Sequence, residues 1–120
     1  MDSQALYSAT VHHYLGPIRP YLEDSSVTEV MINSANEIYV EQDGRLERTD
    51  AAFADHEAFE AAVNNVLQFT GRSLSDDHPL IDSRLPDGSR VHVAKAPCAR
   101  RGTTMTIRKF SRQMLDIDWL

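Results

Sequence analysis

The chain has 120 residues, 42% of them apolar, and a net charge of −6, which suits one domain with one core and excludes a disordered chain. Its apolar runs are a few residues long, so no transmembrane helix is expected, and Asp2 with no apolar stretch after it is unlike a secretory signal peptide. The net charge hides a division: residues 1–80 hold fourteen acids against four bases, residues 81–112 hold eight bases against Asp82 and Asp87, and Asp116 and Asp118 close the chain.

Residues 3–23 read as helical. Leu6, Val11, Tyr14 and Leu15 fall near helical spacing, and Gly16-Pro17 interrupts the run before a second short helix over 17–23. Pro20 fits in a first turn, where its missing N–H has no partner to lose. His12 and His13 are adjacent and so point in different directions, which predicts a solvated surface rather than a metal site.

Val27–Ile32 reads as a strand with Val30 and Ile32 on one face and Glu29 and Met31 on the other. A turn at 34–36 leads to a second strand, Ile38–Glu41. Gln42-Asp43-Gly44 then signals a hairpin into Arg45–Arg48. A three-residue loop there would set Val40 opposite Leu46 and Glu41 opposite Arg45, one apolar and one opposite-charge pair.

Residues 55–70 carry the strongest helical pattern. Asp55 can cap the first turn, Phe59, Ala62, Val63, Val66 and Phe69 form an apolar stripe, and Gly71 can end the helix in the left-handed conformation. Strands return at 80–85, 89–94 and 103–110, joined by Pro86-Asp87-Gly88 and by a looser loop over 95–102. The residues from Met114 to Leu120 read as the start of a helix or linker. The fold class is α+β, a mainly antiparallel sheet of five to six strands with helices packed on it.

Pro86-Asp87-Gly88 suits a type I turn closed by a left-handed glycine. That loop sets Leu85 opposite Ser89, Ser83 opposite Val91 and Ile81 opposite Val93, with Arg84 opposite Arg90 and Asp82 opposite His92 on the other face. In the last strand Met105 and Ile107 share one face, and Thr104, Thr106 and Arg108 the other. Arg84, Arg90 and Arg108 thus lie on the non-apolar strand faces. They splay into solvent or pair with acids of the first eighty residues, or else they converge on an anion, for which the arginine fork suits phosphate best.

No Gly-x-x-x-x-Gly-Lys is present, so no P-loop chemistry is available to these residues alone. The histidines at 12, 13, 56, 78 and 92 lack metal-ligand spacing, and Cys98 has no partner cysteine, which suits a reducing compartment. Lys95, Arg100 and Arg101 would lower the thiol pKa of Cys98, but no base stands beside it. Asp82 opposite His92 reads as a structural pair, since no nucleophile accompanies it. No catalytic residue and no metal ligand is assigned.

Two sets of motifs carry a resemblance. Leu80-Ile81-Asp82-Ser83-Arg84-Leu85-Pro86-Asp87-Gly88-Ser89-Arg90-Val91 with Thr106-Ile107-Arg108-Lys109-Phe110, preceded by Val27–Asn33 and by Ile38–Glu41 with Gly44-Arg45-Leu46, resembles the N-terminal domain of CpaF/TadA-type ATPases of the type II/IV secretion and pilus-assembly superfamily. The likeness covers about residues 15–112, with four motifs in the same order. It implies a PAS-like α+β domain, then a linker and a RecA-like ATPase domain with the P-loop. It further implies a homo-hexamer in the cytoplasm, peripheral to the inner membrane and working with inner-membrane secretion or pilus components.

In that family ATP and Mg are held mainly by the C-terminal ATPase domain, and N-terminal-domain arginines reach the phosphates across the interdomain site. Carried over by motif, these are Arg90 of Gly-Ser-Arg-Val, Arg108 of Thr-Ile-Arg-Lys-Phe and, third, Arg84 of Arg-Leu-Pro-Asp-Gly. The sequence departs from the pattern at His92, where asparagine is expected, at Ala96-Pro97 in place of Pro-Pro, and in the more basic loop after it. The ATPase domain is absent from these 120 residues. The resemblance therefore divides them into N-terminal helices (1–24), a PAS-like domain (25–112) and the start of a linker (113–120), in an excised domain or fragment without catalysis of its own. The alternative is a stand-alone module that binds an anionic ligand or a partner protein. Nucleic acid is not an expected partner, because no aromatics interleave with the arginines and the acidic remainder repels a long phosphate backbone.

Overall fold

The computed structural model describes residues 3–75, 77–95 and 102–110. The expectations for Cys98, for its basic surroundings and for the stretch after 110 lie outside them. Among these described residues three α-helices, α1 (Ser3–Tyr14), α2 (Arg19–Glu23) and α3 (His56–Leu67), accompany six strands. These are β1 (Val27–Ser34), β2 (Glu37–Gln42), β3 (Arg45–Arg48), β4 (Leu80–Arg84), β5 (Arg90–Ala94) and β6 (Thr104–Arg108). They form one antiparallel sheet in the order β3-β2-β1-β6-β5-β4, the PAS-like α+β architecture expected. Two three-stranded meanders, β1–β3 and β4–β6, thus meet at the seam between β1 and β6, and α3 joins their outer strands.

Strand alternation divides the sheet. Val30, Ile32, Ile38, Val40, Val91, Val93, Met105 and Ile107 point to one side and are buried beneath the helices. Leu15 and Ile18 from the N-terminal segment and Phe59, Val63 and Val66 from α3 close that core. The expected stripe on α3 is the buried one, extended by Leu67, with Phe69 half-buried beyond the helix end. Asp55 caps α3 through its Oδ1, which accepts from the Ala58 N–H at 2.7 Å. Gly71 has φ +68°, the left-handed conformation foreseen, one turn past the last helical residue.

Two details differ from expectation. The segment after Gly16 is a 3₁₀ turn (Gly16–Ile18) followed by α2, with Pro17 and Pro20 each at the start of its own turn. The first hairpin has a two-residue loop, Asp43-Gly44, and pairs Gln42 with Arg45, Glu41 with Leu46 and Val40 with Glu47. Both loop residues have positive φ, 52° and 80°, which is the type I′ turn that matches strand twist. That preference outweighs the apolar Val40–Leu46 pair, because all of β3 is exposed and Leu46 gains nothing by facing the core side.

A row of arginines on the open face of the sheet

The loop Pro86-Asp87-Gly88 sets the register of the second meander. The Leu85 N–H donates to the Ser89 carbonyl at 2.7 Å and the Gly88 N–H to the Leu85 carbonyl at 2.9 Å. The Asp87 carboxylate accepts from the Ser89 N–H at 2.9 Å, and Gly88 takes φ +91°. A Cβ at Gly88 would stand 3.0 Å from Cγ of Phe110, so a side chain there would have to displace the ring. With this loop, Arg84 pairs with Arg90 and Asp82 with His92, as the sequence predicts.

The next pairing was not predictable from a tight turn. Arg90 faces Arg108 across β5 and β6, so all three arginines stand in one cross-strand row. The row continues through Glu29 on β1, Glu41 on β2 and Leu46 on β3. Strands lie about 4.8 Å apart, so three positive side chains span roughly 10 Å before the sign changes. All three arginines are exposed on the face opposite the helices, where solvent weakens their mutual repulsion.

A shallow groove of about 340 Å³ lies along this face, lined by Glu29, Asp82, Arg90, Val91, His92, Thr106 and Arg108. It brings Arg90 and Arg108 together; Arg84 stands in the row but outside the lining. Asp82 turns to Arg90, whose Nη2 donates to Oδ1 at 3.3 Å. It stands opposite His92 in register but makes no hydrogen bond with it, because the diagonal arginine is the stronger partner for a carboxylate. Two guanidinium forks at this spacing can hold an oxyanion. Among the described residues no cluster of three or more His, Cys, Asp or Glu could hold a metal ion. The two arginines of the lining suit an oxyanion.

Lys109 is the structural residue that sequence reasoning missed. Alternation sends it to the helix side of the sheet, where its Nζ donates to the carbonyls of Tyr21 (3.1 Å) and Asp24. Burial pushes its pKa down, against the opposing pull of Asp24 and Asp87. Nearby, the Ser26 hydroxyl and N–H donate to Asp24 Oδ1 at 2.7 and 2.9 Å and hold that carboxylate below its ordinary range. A second cavity of about 340 Å³ opens beside this corner, among Tyr7, His12, Leu22, Asp87, Lys109 and Phe110. Burial, and secondarily the charge of Asp87, push the Tyr7 hydroxyl pKa up. His12 and His13 are exposed, as expected.

The family model for type II/IV secretion system proteins matches residues 12–120. The type IV secretion system protein VirB11 of Brucella suis is 31% identical over 112 residues, which are 91% of this chain and 31% of that protein. An uncharacterised protein of Methanocaldococcus jannaschii is 30% identical over 118 residues, 98% of this chain and 16% of its own length. Among solved structures, the VirB11 ATPase of the B. suis type IV secretion system, in complex with sulphate, superposes with a TM-score of 0.76 at 29% identity. The match covers 91% of this chain and 33% of that one, so the chain spans about a third of the length of the VirB11 relatives it matches.

Proposed function

Because the chain belongs to the type II/IV secretion system protein family, we propose that it is the arginine-bearing N-terminal domain of a secretion or pilus-assembly ATPase. In this reading Arg90 and Arg108, with Arg84 beside them, neutralise the phosphates of an ATP held mainly by a P-loop domain elsewhere in the protein. Movement of the two domains against each other would then couple hydrolysis to secretion. Residues 1–24 are the leading helices, 25–112 the PAS-like domain and 113–120 the start of the linker. The working assembly is a hexamer of the CpaF/TadA type at the cytoplasmic side of the inner membrane, and its Mg ion travels with the nucleotide in the P-loop domain.

The observation that carries this reading is the in-register row Arg84–Arg90–Arg108 on an uncovered face. Like charges directly opposite each other are unfavourable by a few tenths to about 1 kcal/mol, so a row of three is best accounted for by an anion that joins them. The B. suis VirB11 ATPase was solved with sulphate, an oxyanion of the size and shape of a phosphoryl group. Each charge-assisted contact is worth roughly 1.5–3 kcal/mol, too little for tight nucleotide binding by this domain alone.

The 120-residue chain should therefore show negligible ATP hydrolysis. In the intact ATPase, Arg108→Ala should lower ATP turnover at least tenfold with the circular-dichroism spectrum unchanged, and Arg108→Lys should recover only part of it, since lysine keeps the charge but loses the fork. Turnover unchanged in Arg108→Ala would sink the assignment.

A further inference from the structure

We infer that Asp82 and Glu29 are the resident counter-anions of the arginine groove and restrict it to short, densely charged anions such as a phosphate chain; this rests on the phosphate-binding reading above. The charged side chains lining the groove are Arg90, Arg108, Asp82 and Glu29, two of each sign. Asp82 already occupies the guanidinium of Arg90 at 3.3 Å, and both side chains are more than half exposed, so the bond is weakly held and open to exchange. Glu29 stands opposite Arg108 in register, yet among the described residues it makes no ion pair within 4.0 Å, which leaves Arg108 available.

The selection follows from what each anion gains. A monoanion that displaces Asp82 exchanges one contact to Arg90 for another. A phosphate chain presents several charged oxygens within a few ångströms, reaches Arg90 and Arg108 together, and gains the second arginine for the loss of one carboxylate. Length is limited as well as charge: an anion running past Arg108 along the row meets Glu29 and then Glu41. A polyphosphate backbone laid across the sheet is therefore repelled at its far end, whereas two or three phosphates fit within the positive stretch.

The test is a titration of the 120-residue chain with inorganic tripolyphosphate at low ionic strength, followed by NMR on backbone amides and arginine Nε–H groups. Asp82→Asn should tighten binding about fivefold and shift the Arg90 Nε–H signal before any ligand is added. Glu29→Gln should tighten it by a similar factor, and Arg90→Ala should weaken it. Asp82→Glu should restore wild-type affinity. If Asp82→Asn and Glu29→Gln bind no more tightly than wild type while Arg90→Ala still weakens binding, the counter-anion role is overturned and the phosphate reading stands. If Arg90→Ala also changes nothing, both fall together; if no variant binds, the counter-anion role is overturned, while the reading in which the P-loop domain holds most of the ATP stands or falls on the Arg108→Ala turnover test.

Discussion

Arg108 and Lys109 are consecutive cations with opposite duties, separated only by strand alternation. Arg108 faces the open side, while Lys109 donates to the carbonyls of Tyr21 and Asp24, satisfying main-chain acceptors around the end of α2. Lys109→Met keeps the length of the side chain and removes both bonds. It should lower stability by about 1–3 kcal/mol in urea denaturation, the cost of leaving partly buried acceptors unmade. The neighbouring Asp24 adds a pH dependence. Its folded-state pKa lies below the ordinary value of 3.8, first because of the Ser26 hydroxyl and then the Ser26 N–H. A depressed carboxylate stabilises the fold above its unfolded pKa, and that contribution is lost as pH falls through the folded value. Ser26→Ala removes the leading cause, so the drop in urea midpoint between about pH 6 and about pH 2.5 should be smaller in the variant than in wild type.

At the scale of elements, the parts legible in the sequence are those fixed by local chemistry. Asp55 was readable as a cap because a short acceptor precedes an apolar stripe, and Asp55→Ala should cost about 1 kcal/mol (0.5–2) in thermal or urea melts. The loop Pro86–Gly88 was readable because its turn type allows one register, and Arg84 opposite Arg90 came with it. In the Asp43-Gly44 hairpin the backbone preference of two consecutive left-handed residues outweighs the side-chain pairs on β3 that favour a three-residue loop. On an exposed edge strand the turn decides, because the pairs there bury little.

Across the whole molecule, what the sequence left open was which strands become neighbours. The face of Arg108 follows from alternation, but its place beside Arg90 depends on a connection over 95–103 that no tight turn specifies. The place of Glu29 beside Arg108 depends on the seam between β1 and β6. So the three arginines could be named individually, whereas their alignment, the sign change at Glu29 and the engagement of Arg90 by Asp82 are tertiary facts. The charge division between the first eighty residues and the basic third is likewise met in space at that seam, where the acidic end of the row meets the basic end.

The same seam has a consequence for how the chain reaches its native state. Its partners, such as Glu29 and Arg108, lie about 80 positions apart in sequence, so joining the two meanders carries a large loop-closure cost and a high contact order. Until β6 arrives, β1 is an open edge with Val30 and Ile32 uncovered on one side, the kind of surface that pairs with the wrong neighbour. The strand that closes this edge is the one that carries Arg108. Closing the sheet and completing the arginine row therefore depend on the same strand, and a chain stalled before β6 has neither a protected β1 edge nor Arg108 beside Arg90.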